Sequence, residues 1–192
     1  CVLCGWSLGG QISLELLDAA PEIAGVMAFG APPAPNGPIG LIRSMHMTKG
    51  LLFASKPSHV GQEAAFLEKL NFASSADGSF VELFERVDPA MRPAVSKSVL
   101  TAFGESQRRK VETAQTPVFL MHGLHDPFVR TSYMKSIHGP TLFGGETVMV
   151  DAGHAPFYEK PDVINKSLSA FGDAVAKGTA AQISAPARRL AG

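Results

Sequence analysis

Cysteine is nearly missing from this chain: two in 192 residues, Cys1 and Cys4. Three residues along an extended strand span about 10 Å and leave the two side chains on opposite faces, beyond the roughly 7 Å Cα separation that a disulfide tolerates. No second pair is available to complete a zinc site, so the C-x-x-C pattern reads as two unlinked thiols. Without a disulfide framework a reducing compartment is favoured, and the cytoplasm is the expected location. An excess of one charge is lacking too, since 17 Lys and Arg balance 17 Asp and Glu. That balance excludes the clustered positive surface a nucleic-acid groove needs, and the one basic run, Arg108-Arg109-Lys110, is hemmed by Glu105 and Glu112. No apolar stretch approaches the roughly 18 residues of a membrane helix.

A starting methionine is also absent. Val2 and Leu3 lead straight from Cys1 into a glycine turn, so residue 1 is expected inside a strand and the chain is expected to be a fragment with earlier sheet strands upstream. What is present suits one domain's worth of globular core, with 45% hydrophobic residues.

Along the chain, Ile12, Leu16 and Ala20, widened by Leu14 and Leu17, predict a buried helix over Gln11 to Ala20, stopped by Pro21. Ile23 to Phe29 reads as a buried strand, ended by Gly30 and a proline-rich turn. Pro117 to Met121 and Thr147 to Val150 read as further strands, each followed by a polar turn carrying Gly, His and Asp. Strand, helix, strand implies a parallel sheet, whose functional loops gather at the carboxyl ends of the strands. A last helix is predicted from Pro161, with Ile164, Leu168, Phe171 and Val175 at helical spacing. The segment 31–115 is far longer than a plain crossover needs. It holds Phe53, Phe66, Phe72, Phe80, Phe84 and Phe103, with helical spacing at Ala65, Leu67 and Leu70 and at Phe80, Leu83, Phe84 and Val87. The expected organisation is a core over 1–30, a helical cap over 31–115 whose aromatics glue it to the core, a second core segment over 116–176, and a disordered tail over 177–192.

Gly5-Trp6-Ser7-Leu8-Gly9 matches G-x-S-x-G between an apolar strand and a helix. In that setting the turn forces Ser7 into a strained backbone that Gly5 and Gly9 are expected to permit, and presents the hydroxyl at a helix N-terminus. There the Leu8 amide can donate to an oxyanion, helped by the helix dipole. A serine hydroxyl is a weak nucleophile at neutral pH and needs a base held in one tautomer by an acid. His154 follows the last strand and Asp126 the one before it, in the order Ser, acid, His. Asp151 is a rival acid, read as a strand-end or turn residue, and Asp18 reads as an exposed helix residue. His122 reads as a cap on a strand or turn, His125 sits on the wrong side of the last strand, and His46, His59 and His138 read as structural or surface. A metal site from His122, His125, Asp126 and His154 is an alternative, but a serine at an elbow accounts for more residues, so no metal and no cofactor is expected.

At these residues the chain resembles the α/β-hydrolase superfamily over residues 1 to about 176. The resemblance implies the carboxyl-terminal part of that α/β fold, from its fifth to its eighth strand, with a helical cap between the sixth and seventh. Gly5-Trp6-Ser7-Leu8-Gly9-Gly10, Pro21-Glu22-Ile23 with Gly25-Val26-Met27, Gly30-Ala31-Pro32-Pro33, Asp126-Pro127-Phe128-Val129 and Ala152-Gly153-His154-Ala155-Pro156-Phe157 are similar to the serine-dependent acyl-homoserine lactonases. Those enzymes carry Glu at the acid position, where this chain has Asp126. The resemblance implies that Ser7 attacks an ester or lactone carbonyl, His154 shuttles the proton, Asp126 orients His154, and Leu8 supplies one oxyanion donor. The second donor of that family comes from a loop upstream of this chain, so these 192 residues by themselves are expected to be inactive and poorly folded. Trp6, Phe128 and Phe157 are the candidate substrate-binding side chains, and the expected partner is a small ester or lactone with an apolar acyl chain. A general carboxylesterase, a cofactor-free C–C hydrolase and a non-catalytic ligand receptor are the other readings.

Overall fold

Every residue of β2 (Gly25–Phe29) and β3 (Val118–Gly123) is buried, as the unbroken apolar runs of a sheet covered on both faces require. The computed structural model describes residues 1–73, 76–101 and 106–180. With β1 (Val2–Trp6) and β4 (Val148–Val150) they form a parallel sheet in the order β1-β2-β3-β4. Cys4 pairs with Met27, Met27 with Phe119, and Met121 with Val148. The sheet is parallel throughout, as the strand, helix, strand pattern implies.

Side chains alternate between the two faces with the period of two that a strand imposes. Val26, Ala28, Val118 and Leu120 share one apolar cluster with Leu14 and Leu17, while Met27, Phe29, Phe119 and Met121 share another with Ile164 and Phe171. The first cluster is closed by helix α1 (Leu8–Glu15), the second by α10 (Pro161–Ala176). Between β2 and β3 run α2 (Gly37–Ser44), α3 (Lys49–Ala54), α4 (Gln62–Phe72), α5 (Val81–Glu85), α6 (Met91–Thr101) and α7 (Gln107–Thr113). The short α8 (Thr131–Lys135) follows β3, and α9 (Pro156–Glu159) follows β4.

The first helix departs from its expected form. It begins at Leu8, directly after Ser7, and ends at Glu15, well before Pro21. The chain leaves it at Asp18, a positive-φ residue whose carboxylate accepts from the Thr116 amide at 3.1 Å, so Asp18 is a turn residue and not a helix residue. Docking on the sheet buries Gly10, Ser13, Leu14 and Leu17, and leaves Ile12 and Leu16 exposed. In α10 the expected stripe shifts similarly. Ser167 and Ala174 join Ile164 and Phe171 against the sheet, whereas Leu168 is 39% exposed. The last core residues run past the expected boundary at 176, because Thr179 donates to the Ala174 carbonyl and Ala180 is buried. Residues 181–192 of the expected tail, and Phe103, lie outside the described residues.

Phe72, at the end of α4, ties the inserted helices to the core. Its ring stacks on Phe80 at 4.6 Å, meets Tyr158 edge-on at 5.1 Å and lies 5.8 Å from Trp6. Such pairs add about 0.5–1.5 kcal/mol each beyond the area they bury.

Candidate active site

Ser7 has φ 50° and ψ −117°, a conformation that L-residues rarely hold. The surroundings over-determine it. Its amide donates to the Phe29 carbonyl at 2.9 Å, and its own carbonyl accepts from Gln11 at 3.0 Å as α1 begins. Two glycines make the elbow sterically possible: Gly5, as expected, and Gly10 in place of Gly9. A Cβ on Gly5 would lie 2.3 Å from the Gly9 carbonyl oxygen, and one on Gly10 would lie 2.5 Å from the Ala31 Cβ, whereas Gly9 meets nothing within 4 Å. Gly10 is thus the close-approach glycine, and Gly9 is simply a helix residue.

The hydroxyl of Ser7 lies 3.0 Å from Nε2 of His154, whose Nδ1 lies 2.7 Å from Oδ2 of Asp126. His154 and Asp126 are both buried. The other carboxylate oxygen of Asp126 accepts from the amides of Phe128 and Val129 at 2.8 and 2.9 Å, which fixes its plane. Burial pushes the Asp126 carboxyl up, but the charge and hydrogen bond of His154, the Val129 amide and His122 outweigh it and hold it below its ordinary value. Leu8 is the first residue of α1, so its amide has no carbonyl partner within the helix and remains available to an anion.

Four further residues hold this arrangement together; the sequence singled out Trp6 and Phe128 as substrate contacts and Gly30 as a strand end, and gave no sign of Glu159. Gly30 has φ +53°, and a Cβ there would lie 3.0–3.2 Å from the backbone oxygen and ring of His154. Glu159 accepts from the Gly153 amide at 2.9 Å and braces the loop from α9. Phe128 sets its edge against the His154 ring at 4.9 Å. Trp6 donates from Nε1 to the His154 carbonyl at 2.8 Å, and its ring packs on Phe157 at 5.2 Å.

The remaining acids and histidines separate cleanly. Asp151 pairs with His125 at 2.8 Å on the surface, with both side chains more than two-thirds exposed. His122 is no strand cap. It is fully buried at the end of β3, its Nδ1 3.7 Å from Oδ2 of Asp126 and without a hydrogen-bond partner, its Nε2 3.3 Å from Oγ1 of Thr131. Burial, aided by His154 and His46 and opposed by Asp126, lowers its pKa to about 4, so it is a neutral ring at pH 7. The signal for it was its place inside the apolar run that ends at Gly123. No cluster of three metal-binding side chains occurs among the described residues, and no described helix is long and apolar enough to cross a membrane.

A cavity of about 340 Å³ opens beside Ser7, Leu8 and His154. Phe128 lines it, while Trp6 and Phe157 stand behind His154 and outside the wall. The inserted helices supply most of the apolar lining, including Leu41, Leu51, Leu67 and Met91.

The chain and its fold have relatives. The sequence profile of the Alpha/beta hydrolase family matches residues 1–167. Among solved structures, N-acyl homoserine lactonase AidH complexed with N-butanoyl homoserine superposes with a TM-score of 0.85 at 25% identity, covering 92% of this chain and 64% of that one. A putative aryl esterase from Burkholderia cenocepacia superposes at 0.68 with 22% identity, covering 92% and 65%. Carboxylesterase CesB (YbfK) from Bacillus subtilis superposes at 0.62 with 20% identity, covering 89% and 59%. The last two likenesses concern the fold alone. The chain spans just under two-thirds of the length of these structures. No curated protein sequence matches it.

Proposed function

Because this chain belongs to the Alpha/beta hydrolase family, we propose that the whole protein carrying it is a serine hydrolase that cleaves a carboxylic ester or opens a lactone through an acyl-enzyme. The observation that carries this reading is the continuous contact from Ser7 through His154 to Asp126, at 3.0 and 2.7 Å. In the proposed reaction Nε2 of His154 takes the Ser7 proton as Oγ attacks the carbonyl carbon. Asp126 holds the ring by its Nδ1–H and stabilises the imidazolium. The carbonyl oxygen, now an anion, receives the Leu8 amide. The tetrahedral intermediate collapses, the ester C–O bond breaks, and His154 returns the proton to the leaving alkoxide. Water, deprotonated by the same nitrogen, then adds to the acyl carbon and releases the acid and free Ser7. A lactone differs only in that acid and alcohol leave as one molecule.

The substrate carries an apolar acyl chain, since most of the surface the cavity presents is apolar, with Leu, Met, Pro and Phe its bulky members. An N-acyl homoserine lactone has that shape and chemistry, and the likeness to AidH supports it. The test is turnover of an acyl-homoserine lactone series beside p-nitrophenyl butyrate by the whole protein and its Ser7→Ala variant. Lactone opening abolished by Ser7→Ala is the expected result. Ester cleavage without lactone opening would reassign the protein as a general carboxylesterase, and turnover unaffected by Ser7→Ala would overturn the serine mechanism.

A further inference from the structure

One wall of the cavity does not suit a plain hydrocarbon. Helix α6 brings Arg92 to it between Met91 and Val95. Arg92 is half-buried as a residue, and its hydrogen bond, from Nη1 to the Pro57 carbonyl, is long at 3.3 Å and lies at an exposed position. Three cations of this chain find acids at close range, and none of them lines the cavity: Lys56 meets Glu63 at 2.8 Å, Arg108 meets Glu112 at 2.7 Å, and Lys110 meets Glu15 at 2.7 Å. No carboxylate among the described residues pairs with Arg92. Burial lowers its pKa, and no acid offsets that effect.

A guanidinium carries five N–H donors in a planar fork, and one carbonyl satisfies few of them. If a purely apolar chain filled the cavity, water would leave Arg92 and nothing would replace it, at a cost in affinity. An oxygen on the chain, placed against α6, would accept from the fork instead.

Resting on the serine hydrolase reading, we propose that Arg92 forms a polar subsite that selects acyl groups bearing a second oxygen acceptor, a keto oxygen or a carboxylate, beyond the scissile carbonyl. The cavity then reads its substrate at two places. Ser7, Leu8 and His154 engage the ester, Arg92 engages the second oxygen, and the apolar lining between them takes the methylenes.

The test compares p-nitrophenyl hexanoate, p-nitrophenyl 5-oxohexanoate and mono-p-nitrophenyl adipate in the whole protein, as wild type, Arg92→Met and Arg92→Lys. The expected wild-type preference in kcat/KM for at least one oxygenated ester over the plain one is about tenfold, as for a charge-assisted hydrogen bond at a half-exposed site. Arg92→Met brings that ratio toward one, and Arg92→Lys keeps part of it for the anion. The keto and carboxylate arms identify which oxygen the subsite prefers. Equal ratios in wild type and both variants, with Ser7-dependent hydrolysis intact, would overturn the subsite and leave the hydrolase reading standing. Binding of methyl hexanoate, methyl 5-oxohexanoate and monomethyl adipate to the Ser7→Ala protein by calorimetry decides the subsite apart from turnover. Tighter binding of an oxygenated ester that is lost with Arg92→Met supports it, and equal binding refutes it. Turnover insensitive to Ser7→Ala would instead count against the hydrolase reading.

Discussion

The indole Nε1 of Trp6 donates a hydrogen bond to the backbone carbonyl of His154 at 2.8 Å, tying the residue before the elbow serine to the histidine that faces it. Strand β1 and the loop after β4 lie at opposite edges of the described sheet, so this bond spans the site. The ring centroids of the two residues are 5.4 Å apart, and Phe72 and Phe157 complete the packing around the indole.

Trp6 is therefore expected to position His154. Trp6→Phe keeps an aromatic ring and removes the donor, leaving a part-buried carbonyl short of one partner at a cost of about 1 kcal/mol. The expected outcome with p-nitrophenyl butyrate is a fall in kcat of about three- to tenfold with KM little changed. A rise in KM at constant kcat would show that Trp6 contacts substrate instead.

The glycines of the elbow should respond in opposite ways. Gly5→Ala places a methyl group against the Gly9 and Gly10 backbone, which cannot yield without opening the turn, and loss of soluble folded protein is expected. Gly9→Ala meets open space inside α1 and should be neutral or stabilising by up to about 1 kcal/mol, with activity retained. Thermal melts and burst titration of the two variants check this.

Gly30→Ala should separate folding from catalysis. Its positive φ costs a residue with a Cβ about 1–2 kcal/mol, and the new methyl lies 3.0–3.2 Å from the backbone oxygen and ring of His154, which must give by a few tenths of an ångström and so disturb the contact with Ser7. A drop in kcat of about tenfold is expected with a melting temperature lowered by only a few degrees, since a shift of a few tenths of an ångström should cost less than the roughly 100-fold of a 1 Å misplacement. Near-normal kcat would show that the loop gives way without moving the ring.

His122 should make stability depend on pH. Its folded pKa of about 4 lies below the ordinary 6.5, so the unfolded chain binds a proton that the folded chain refuses. Stability is complete above pH 6.5 and falls as pH drops from there toward 4, by up to on the order of 3 kcal/mol. Asp126, held below its ordinary 3.8, adds stability above that value and loses it only as pH falls through its folded pKa. Urea unfolding at pH 7 and pH 5 should show the first loss in wild type and a flatter profile in His122→Asn. Parallel profiles would assign the pH dependence to other groups.

Local patterns made much of this protein legible. The glycine turn between an apolar run and a helix singled out Ser7, and strand-end turns rich in Gly, His and Asp singled out Asp126 and His154, three side chains that the fold brings into contact, because such features need only the chain's immediate neighbours. Pro161 marked the start of α10 because its ring presets a first-turn φ. Where the chemistry depended on depth rather than on neighbours, reading by motif misplaced it. His122 looked like a cap on a strand or turn and is a buried neutral ring beside Asp126, and Trp6, a candidate substrate contact, lies outside the cavity wall with its indole bonded to the His154 carbonyl. The buried stripe of the helix after the elbow was misplaced, because periodicity alone cannot tell Ile12 and Leu16 on its outer side from Leu14 and Leu17 on the sheet.

By itself the sequence determined the parallel α/β class, the elbow and the chain order of serine, acid and histidine, since each is written in spacing along the backbone. Tertiary structure alone decided which glycine must lack a side chain, which aromatic lines the cavity, and which arginine faces it without an acid. Those properties arise where segments far apart in the chain approach within a few ångströms. Gly30 against His154, Trp6 against the His154 carbonyl, and α6 against the cavity are distances that no local pattern encodes.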